Sequence, residues 1–578
     1  MASRAARPLV ASILPAAVGR AASPGLALVA ALAAVLAGAP ADAAADETST
    51  TDKLRILYSS RFTFTDDGLP LITVEIMSGQ REVHLSSPGG LAVLPDGDGG
   101  SATLVDGART WTVRAEDVTA AEIREWTVVE RLAPDDAAGA TDAIATWHGR
   151  GFEPHPFEVG TLFAVDGEVI DTREVLIAID PVAPGLGAAR AKATALRHGV
   201  TTSVHRELVR RPRGTLVATS GGTTIRNPSV LWFRPRRADD TVGVADVPTS
   251  TGGSQLVTGV EDRRYWGAVY VALGSDGTLT AVNAVAEDKL LAGLVPAEIF
   301  ADAPEAALDA QAIAARTELL EKIGQRNLTE PYLLCSTQQC QVYAGAGKEH
   351  PRTTAAETRT RGVVVLRDGG GLADTRYSAS AGGRTEDNDA IWGGAPDPSL
   401  RGRLDVKRAG DELGRTFATI TDANIAAFLD APADKFWSGS TTWGKRHFRW
   451  TVELTTPALS ALVAKAYPGV GTVTGLAPVR RSPSGRIQAV RITGKRGEVV
   501  VEGDLVIRRL LGGLKSTLAV IEPRGPAAAP TSFAIRGAGF GHGVGMDQVG
   551  AIGMAAGGKD AAEILRNYYR GTHLHRIY

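Results

Sequence analysis

The feature that most constrains this sequence is a succession of short runs, from Lys53 to about Val182, in which apolar and polar residues alternate. Examples are LPLITVEIM, REVHLSS and RTWTVRA, and Gly, Asp and Pro separate the runs. Alternation with a period of two places the apolar side chains on one face of a β-strand, and those three residues favour the turns between strands. We therefore predict a region that consists mainly of strands and turns.

Two helix-length segments interrupt the strands. The run WTVVERLAPDDAAGATDAIATWHGRGFEPHPFEVG predicts strand, helix and strand, and ARAKATALRHGVTTSVHRELV predicts a second helix followed by a strand. This order resembles the small sporulation-related repeat domains that bind glycan strands. The resemblance implies a glycan-binding unit of this kind in a β-rich region at residues 53–182. A second small α/β unit with a linker is predicted at residues 183–255.

The N-terminus has the pattern of an export signal. Arg4 and Arg7 precede the apolar run LALVAALAAVLAGA, which begins at Leu26, and an Ala-Asp-Ala sequence follows at residues 41–43. A basic start, a short apolar core and an Ala-x-Ala site are typical of a signal peptide. The alternative is a membrane anchor, but the run is shorter than the roughly 20 residues that a spanning helix needs. We predict that residues 1–43 are removed and that the mature chain is exported to the periplasm, cell wall or extracellular space, without stable membrane insertion.

The charge balance excludes several kinds of partner. The 578 residues include 62 Lys and Arg against 64 Asp and Glu, which gives a formal net charge of -2. Such a chain has no long-range field that would attract nucleic acid or anionic lipid, and we predict no nucleic-acid partner. Its 44% of hydrophobic residues can bury sizeable cores. At about 100–200 residues per domain, the length suggests three or four domains.

Four blocks in the C-terminal half follow one another in the order LLAGLVPAEIF with ALDAQAIAARTELL, then LLCSTQQCQVYAGA, then YSASAGGRTEDNDAIWGG, then GAGFGHGVGMDQVGAIGMAAGG with the close ILRNYYRGTHLHRIY. Together they resemble the SpoIID/LytB family, whose members include stage II sporulation protein D. The resemblance covers roughly residues 262–578 and implies a SpoIID/LytB-like catalytic domain at residues 256–578. The predicted fold class is α+β and multi-domain: a β-rich N-terminal region with small sporulation-repeat-like units, then a mixed α+β domain.

The resemblance implies a peptidoglycan lytic transglycosylase. Such an enzyme cleaves glycan strands already stripped of stem peptides, between N-acetylmuramic acid and N-acetylglucosamine, and leaves 1,6-anhydro ends. The catalytic acid of the family is the Glu of the block that matches residues 293–298, so that role is assigned to Glu298. Some family members are described as enhancers of a wall amidase. The alternative is therefore a non-catalytic, glycan-binding enhancer with a cell-wall amidase as its partner.

The chemistry agrees with a single carboxyl group at Glu298. Ordinary glycosidases use two carboxylates, because one protonates the leaving oxygen while the other activates water or attacks the sugar. In a transglycosylase the 6-hydroxyl of the sugar attacks, so one Glu can serve as acid and then as base. The acid must stay protonated near neutral pH, and apolar neighbours such as Leu294 and Ile299 could raise its pKa. The alternative for Glu298 is a solvated carboxylate at a helix end.

Further residues of these blocks are predicted to contact substrate. Arg316 could hold the lactyl carboxylate that is exposed when the stem peptide is removed, since the Arg fork matches a carboxylate. A structural ion pair is the alternative for this residue. The tight turn after the strand DTRYSAS is predicted to form an edge of the substrate groove, with a plain turn as the alternative, and its residues are Ser380, Gly382, Gly383 and Thr385.

Three more candidates lie further along the chain. Trp392 offers a stacking surface for a sugar ring, although packing in a core is the alternative. The segment GFGHGVGMDQVGA is rich in glycine, so its backbone is free to fold tightly and to present His542 and Gln548. These side chains are predicted to contact the sugar or to orient Glu298. A buried His that locks the loop is the alternative for His542.

The chain has only two cysteines, Cys335 and Cys340. Family members with a zinc site combine such a pair with histidines, one of them directly before the second Cys, where this sequence has Gln339. Zinc needs four ligands, and two thiolates without a nearby His make a poor site; His350 could join, but a fourth ligand would remain unassigned. In an exported protein the pair can instead close a disulfide. We predict a Cys335–Cys340 disulfide and no cofactor, with free thiols and a zinc site as alternatives.

Overall fold

The structure is a computed structural model of the chain. All of the residues that it describes belong to one unit, Thr51–Tyr578, and they are residues 57–578 except for 59–62, 66, 96–102, 105–109, 166, 181–185, 251–256, 338–339, 409–411 and 443. The predicted signal peptide at residues 1–43 lies outside the described residues. No helix in the described ranges is both long and apolar enough to cross a membrane.

Most of the strands lie before residue 287, together with two helices. In chain order these elements are β1 (Thr63–Phe64), β2 (Pro70–Gln80), β3 (Glu82–Ser86), β4 (Leu91–Leu94), β5 (Thr103–Leu104), β6 (Thr110–Thr119), β7 (Glu122–Leu132), α1 (Ala137–Gly149), β8 (Glu153–Val159), β9 (Leu162–Val165), β10 (Glu168–Asp171), β11 (Glu174–Asp180), α2 (Leu186–Arg197), β12 (Ser203–Arg210), β13 (Arg213–Ser220), β14 (Thr223–Asn227), β15 (Val230–Pro235), β16 (Val242–Ser250), β17 (Val257–Tyr265), β18 (Ala268–Leu273) and β19 (Leu279–Ala286).

Two large antiparallel sheets form the centre of this part of the chain. One has seven strands in the order β1-β2-β19-β18-β15-β4-β5, and the other has six in the order β14-β13-β6-β3-β16-β17. The alternating pattern of the sequence sends side chains such as Val83, Trp111 and Phe233 into a core that both sheets share. Strand β2 pairs with β19, with Val74 opposite Asn283. Residues on both sides of the predicted boundary at 256 therefore belong to one sheet.

A smaller α/β unit is formed by the chain between β7 and β12. Its four strands pair antiparallel in the order β12-β7-β11-β8, and the chain order is strand, helix, strand, strand, helix, strand. Side chains of α1 and α2, among them Trp147 and Ala195, pack on Ile177 of β11. The two strand-and-helix passes of the sequence thus combine in a single unit that continues across residue 183, because β12 pairs with β7. A two-stranded ribbon, β9 with β10, is inserted in it.

Helices become frequent after residue 286. In chain order the elements are α3 (Glu287–Glu298), α4 (Glu305–Lys322), α5 (Pro351–Arg359), β20 (Val363–Arg367), β21 (Tyr377–Ser378), α6 (Asn388–Trp392), α7 (Glu412–Thr416), α8 (Ile425–Asp430), α9 (Gly444–His447), β22 (Arg449–Thr455), α10 (Thr456–Ala466), β23 (Val473–Arg481), β24 (Ile487–Gly494), β25 (Glu498–Glu502), α11 (Asp504–Leu510), β26 (Ala519–Arg524), β27 (Ser532–Ala538), β28 (Met546–Asp547), α12 (Gln548–Ala556), α13 (Ala561–Tyr568) and β29 (Thr572–Arg576), with 3-10 turns at Ala346–Lys348, Ala433–Lys435 and Ser438–Ser440.

Two pairs of short strands join distant segments of this part of the chain. Strand β21 pairs with β28 in parallel, and β20 pairs with β29 near the C-terminus. Between β21 and β28 the chain builds two three-stranded sheets, β22-β27-β26 and β23-β24-β25, and their core includes Leu459 and Ile492. Helix α4 lies at the centre, where Leu308 and Leu319 join the large core shared by the two sheets. Antiparallel sheets combined with helices confirm the predicted α+β class.

Candidate functional site

The carboxyl group of Glu298 is held at the end of α3 by a backbone amide. Its Oε1 accepts a hydrogen bond of 2.6 Å from the N–H of Val342. The side chain keeps some access to solvent, yet the surrounding protein removes enough water to raise its pKa to about 7, against the opposing effect of the bond from Val342. Burial disfavours the charged form, so the group is divided between acid and carboxylate near neutral pH.

Gln548 fixes the backbone at the same point. Its Nε2 donates to the main-chain oxygen of Glu298 at 2.9 Å and to Oε1 of Gln311 at 3.1 Å. Asp547 caps α12, because its side chain accepts from the N–H of Gly550 at 2.8 Å, and this cap determines where Gln548 starts the helix. Of the predicted site residues, the structure therefore brings Gln548 and Glu298 into direct contact.

A second set of hydrogen bonds fixes the segment that carries the Val342 amide. The hydroxyl of Tyr377 donates to Oε1 of Gln341 at 2.9 Å, and Nε2 of Gln341 donates to the carbonyl of Ala315 at 3.1 Å. On the other side of Val342, the hydroxyl of Tyr343 donates to Oδ1 of Asn283 at 3.0 Å. The donor for Glu298 thus lies between two anchored residues, so its position is determined before any ligand binds.

The sequence did not single out three polar residues of this site, Gln311, Gln341 and Tyr377. Each lies in one of the blocks that carry the family resemblance. A position in these blocks was the sequence signal by which the three residues could have been found. What the sequence could not show is that α4, the segment after Cys340 and β21 converge on the end of α3, because those contacts join residues far apart in the chain.

Cys335 and Cys340 are joined in a disulfide, with their Cα atoms 5.5 Å apart. This bond leaves no thiolate for zinc, and Nδ1 of His350 already accepts from the N–H of Arg352 at the start of α5. Gln339 lies outside the described residues. Nor does the part of the chain that the structure describes contain a group of three or more His, Cys, Asp or Glu side chains arranged to hold a metal ion. The residues present therefore do not fit the zinc site of the family.

Arg316 lies in the protein interior, away from any groove. Its side chain has no exposed surface, and its Nε donates to Oε1 of Glu287 at 2.6 Å while Nη2 lies 3.4 Å from Oε1 of Glu357. Nη1 donates to the carbonyl of Thr360 at 2.8 Å. The predicted contact of Arg316 with substrate is therefore wrong: buried partners already occupy the guanidinium, and the structural ion pair is the arrangement observed.

The turn predicted as a groove edge is also internal. Ser380 and Thr385 are buried, and the backbone of Ser380 exchanges two hydrogen bonds with Phe540. Gly382 has φ of 72°, and a Cβ there would lie 2.6 Å from the N of Gly539. A Cβ on Gly383 would lie 2.7 Å from the ring of Phe436. These glycines allow two segments of the chain to approach each other, so the plain turn replaces the predicted groove edge.

Trp392 is exposed and His542 is half-buried, and the two come together in a cluster that also contains Arg376. Trp392 is 45% exposed. The guanidinium of Arg376 lies 4.0 Å from the centre of its ring, and the ring of His542 lies 4.9 Å from it, edge to face. We call these three side chains the Trp392 platform. Nδ1 of His542 accepts from the N–H of Val544 at 3.0 Å, so His542 also stabilises its own loop.

Glu318 is a second acid of this region with an altered pKa. Burial raises the pKa of its carboxyl group to about 8, and the positive charge of Lys322 only partly opposes this effect. Glu318 lines a small, mainly apolar cavity beside the disulfide, with a volume of about 10 Å³. Such a cavity has room for about one water molecule, which excludes it as a place for a sugar ring.

Comparison with protein families gives two matches in this half of the chain. The family described as stage II sporulation protein matches residues 275–366, which include α3, α4 and the Val342 segment. A domain of unknown function matches residues 386–545, and this range falls within the segment inserted between β21 and β28. The first match thus covers Glu298 and the second covers the Trp392 platform in part.

Curated relatives agree with the first match. A stage II sporulation protein D from Bacillus subtilis (strain 168) is 25% identical over 308 residues, which cover 51% of this chain and 76% of that protein. The amidase enhancer of the same organism is 28% identical over 298 residues, or 49% of this chain and 40% of that protein. An uncharacterised protein of Brachyspira hyodysenteriae is 27% identical over 313 residues, which cover 54% of this chain and 72% of its own length.

Proposed function

The chain is a member of the SpoIID/LytB family, and on that premise we propose an exported cell-wall enzyme that cleaves peptide-stripped glycan strands of peptidoglycan with Glu298 as acid and base. The observation that carries this proposal is the environment of Glu298. Its pKa of about 7 and its amide partner suit a group that must give a proton and then take one back. Export and a cell-wall amidase as a partner belong to the same proposal.

In the first half of the proposed reaction, protonated Glu298 gives its proton to the glycosidic oxygen while the bond from that oxygen to C1 of N-acetylmuramic acid breaks. The leaving sugar departs with a hydroxyl group. The side chain becomes a carboxylate, and the N–H of Val342 at 2.6 Å stabilises this charged form. The hydrogen bond therefore stabilises Glu298 most strongly just after the side chain has lost its proton.

In the second half, the 6-hydroxyl of the same muramic acid bonds to C1, and the Glu298 carboxylate takes the hydroxyl proton. The sugar becomes the 1,6-anhydro end and the acid is restored for another cycle. No second carboxylate is needed to activate water, unlike in ordinary glycosidases. The pKa of Glu298 is shifted by burial and by the Val342 amide, with no acidic neighbour among the causes, and Glu318 faces a cavity too small for a sugar.

The test is incubation of the mature chain with peptide-free glycan strands, followed by chromatography for 1,6-anhydromuramic ends. We expect these ends with the natural chain and a loss of at least about a hundred-fold with Glu298→Gln, since proton transfer contributes about 10²–10⁴ in rate. The matched control is Glu305→Gln, at the exposed first residue of α4, which should keep activity. Equal activity of Glu298→Gln and the natural chain would exclude Glu298 as the acid.

The second candidate is a non-catalytic enhancer of a cell-wall amidase, and the similarity to the amidase enhancer of Bacillus subtilis favours it. It predicts that the natural chain produces no anhydro ends. It also predicts that adding the chain to a purified wall amidase increases the release of stem peptides from peptidoglycan, and that Glu298→Gln enhances as well as the natural chain does. Measuring both products in one digest separates the two candidates.

A further inference from the structure

We propose that the Trp392 platform is a binding subsite for a sugar that carries a free carboxylate. The inference deepens the proposed function and rests on it, because it names the chemical group by which the protein would select peptide-stripped strands. It is carried by three observations: an exposed ring, hydrogen-bond donors without acceptors, and a cationic group stacked on that ring.

The first observation is the exposed ring. Trp392 ends the short helix α6 and is 45% exposed, although a large apolar ring is normally buried or paired. The guanidinium of Arg376 is 4.0 Å from the ring centre, a cation–π distance, and His542 approaches edge to face. The two contacts hold the ring, and its exposed part offers an apolar surface on which a sugar ring can stack.

The second observation concerns the donors around the ring. Nε of Arg376 donates to Oδ2 of Asp374 at 2.8 Å, and Nζ of Lys322 lies 2.9 Å from the other oxygen of that carboxylate. These bonds orient the guanidinium and occupy only one of its nitrogens. Among the described residues, neither Nη of Arg376 has an acceptor. An Arg with two nitrogens available side by side matches a carboxylate in bidentate geometry.

His542 adds a further donor. Because its Nδ1 accepts from the N–H of Val544, the neutral ring carries its proton on Nε2. Within the described ranges this Nε2–H has no acceptor either. The platform thus presents donors from two side chains around one aromatic ring, with the Asp374 carboxylate bound at Nε of Arg376 and not at its Nη groups.

The third observation is the cationic group stacked on the ring. Burial lowers the pKa of His542 to about 3, and the positive charges of Arg376, Arg486 and Arg508 lower it further, with Asp374 as the opposing group. Arg486 and Arg508 already have Glu386 and Asp504 as partners, so Arg376 is the cation that the platform itself offers. Burial disfavours a charge of either sign, and the preference for an anionic sugar therefore rests on the two Nη groups of Arg376.

The chemistry of the glycan strand supplies such a group. Muramic acid without its stem peptide ends in a free lactyl carboxylate, whereas a peptide-linked lactyl group is an uncharged amide. N-Acetylglucosamine has no carboxylate. Arg376 is followed directly by Tyr377, whose hydroxyl contacts Gln341, and the charge of Glu298 contributes, after burial, to raising the pKa of Tyr377. Tyr377 therefore lies near the proposed acid, and Arg376 of the platform is the residue directly before it in the chain.

The experiment measures binding to the full mature chain carrying Glu298→Gln, so that no cleavage occurs. The probes are peptide-free glycan strands and the same strands with their lactyl carboxylates converted to carboxamides. We expect the free carboxylate strands to bind about ten-fold more tightly, which corresponds to about 1.4 kcal/mol, because a charge-assisted hydrogen bond is stronger than one to a neutral group. Adding Arg376→Gln should abolish this preference. Adding Trp392→Ala should weaken the binding of both probes by a similar factor.

The matched control is Arg491→Gln, which removes an exposed Arg from strand β24 and should leave the preference unchanged. Arg376→Lys keeps the charge beside Asp374, and it should retain part of the preference if Arg376→Gln fails to fold in a thermal melt. Equal binding of both probes, or a full preference in folded Arg376→Gln, would overturn the subsite. A preference without anhydro ends from the natural chain would instead leave the subsite standing and refute the proposed cleavage.

Discussion

Removing the amide that holds Glu298 should raise the pKa of this acid. Val342→Pro deletes the N–H and so the hydrogen bond of 2.6 Å, while Val342→Ala keeps it. Among the residues that the structure describes, Glu298 is the only acceptor of this N–H, so proline removes no other backbone bond there. The two variants differ mainly in one donor, which makes their comparison specific.

The expected size follows from the chemistry of the bond. A hydrogen bond to a charged group contributes about 1.5–3 kcal/mol, and one pKa unit corresponds to about 1.4 kcal/mol. The bond favours the carboxylate, so its loss should raise the pKa of Glu298 from about 7 by about 1–2 units. Glu298 acts as an acid only when protonated. Activity of the natural chain should therefore fall above pH 7, and that fall should move to higher pH in Val342→Pro.

The assay is a pH titration by ¹³C NMR of chains labelled at the Glu carboxyl carbon. The signal of Glu298 is the one absent in Glu298→Gln. The pH dependence of anhydro-end production gives a second readout. If Val342→Pro remains folded and its Glu298 titrates with the same midpoint as in Val342→Ala, then the amide does not control the acid and the reasoning is wrong.

Three further predictions concern stability. Arg316→Met should lower the free energy of unfolding by about 3–5 kcal/mol in urea denaturation, because it leaves buried carboxylates without their partner. Gly382→Ala should lower the free energy of unfolding by roughly 2–4 kcal/mol, since φ is 72° and the new Cβ would clash with backbone atoms. At the control position, Gly369→Ala, a Cβ has no atom within 4 Å, and the free energy of unfolding should change by less than about 0.5 kcal/mol. Burial, and then the charge of Asp547, raise the pKa of Asp405 in the folded state. The folded state therefore keeps this proton to a higher pH than the unfolded state does, and the free energy of unfolding should fall as pH rises above about 4. Asp405→Asn should reduce this pH dependence in thermal melts.

Each of these predictions has an outcome that contradicts it. Arg316→Met as stable as the natural chain would mean that the pair adds nothing beyond apolar packing. Equal effects of alanine at Gly382 and Gly369 would show that the turn tolerates a side chain. An unchanged pH slope in Asp405→Asn would place the titrating proton elsewhere, in the first instance on Asp547, which is coupled to Asp405 through the charges of the two buried carboxylates.

Several parts of the fold could be predicted from the sequence because they depend on local pattern. Alternation of apolar and polar residues indicated strands before residue 182, and the structure has them. The blocks around Glu298 and Gln548 indicated two places that belong to one site, and Gln548 does contact the backbone of Glu298. What local pattern could not give was the pairing of β2 with β19, since that contact joins residues some two hundred positions apart.

The candidate site shows the same limit, residue by residue. An Arg in a family block is compatible with a bound carboxylate or with a buried ion pair, and only the position of Glu287 beside Arg316 decides between them. Gly382 and Gly383 suit both a ligand edge and a tight turn, and the distance to Gly539 decides for the turn. In both cases the residue type fixes what chemistry is available, while its neighbours fix which of the options is used.

The sequence by itself determined the family, the α+β class and the identity of the acid that we propose as catalytic, because residue types in a set order carry that information. Only the tertiary structure decided how this acid is tuned. Its pKa of about 7 depends on burial and on one amide from Val342, 44 positions away. The subsite at Trp392 likewise depends on Arg376 and His542 meeting one ring. Desolvation and charge act through space, so they follow from packing and not from order along the chain.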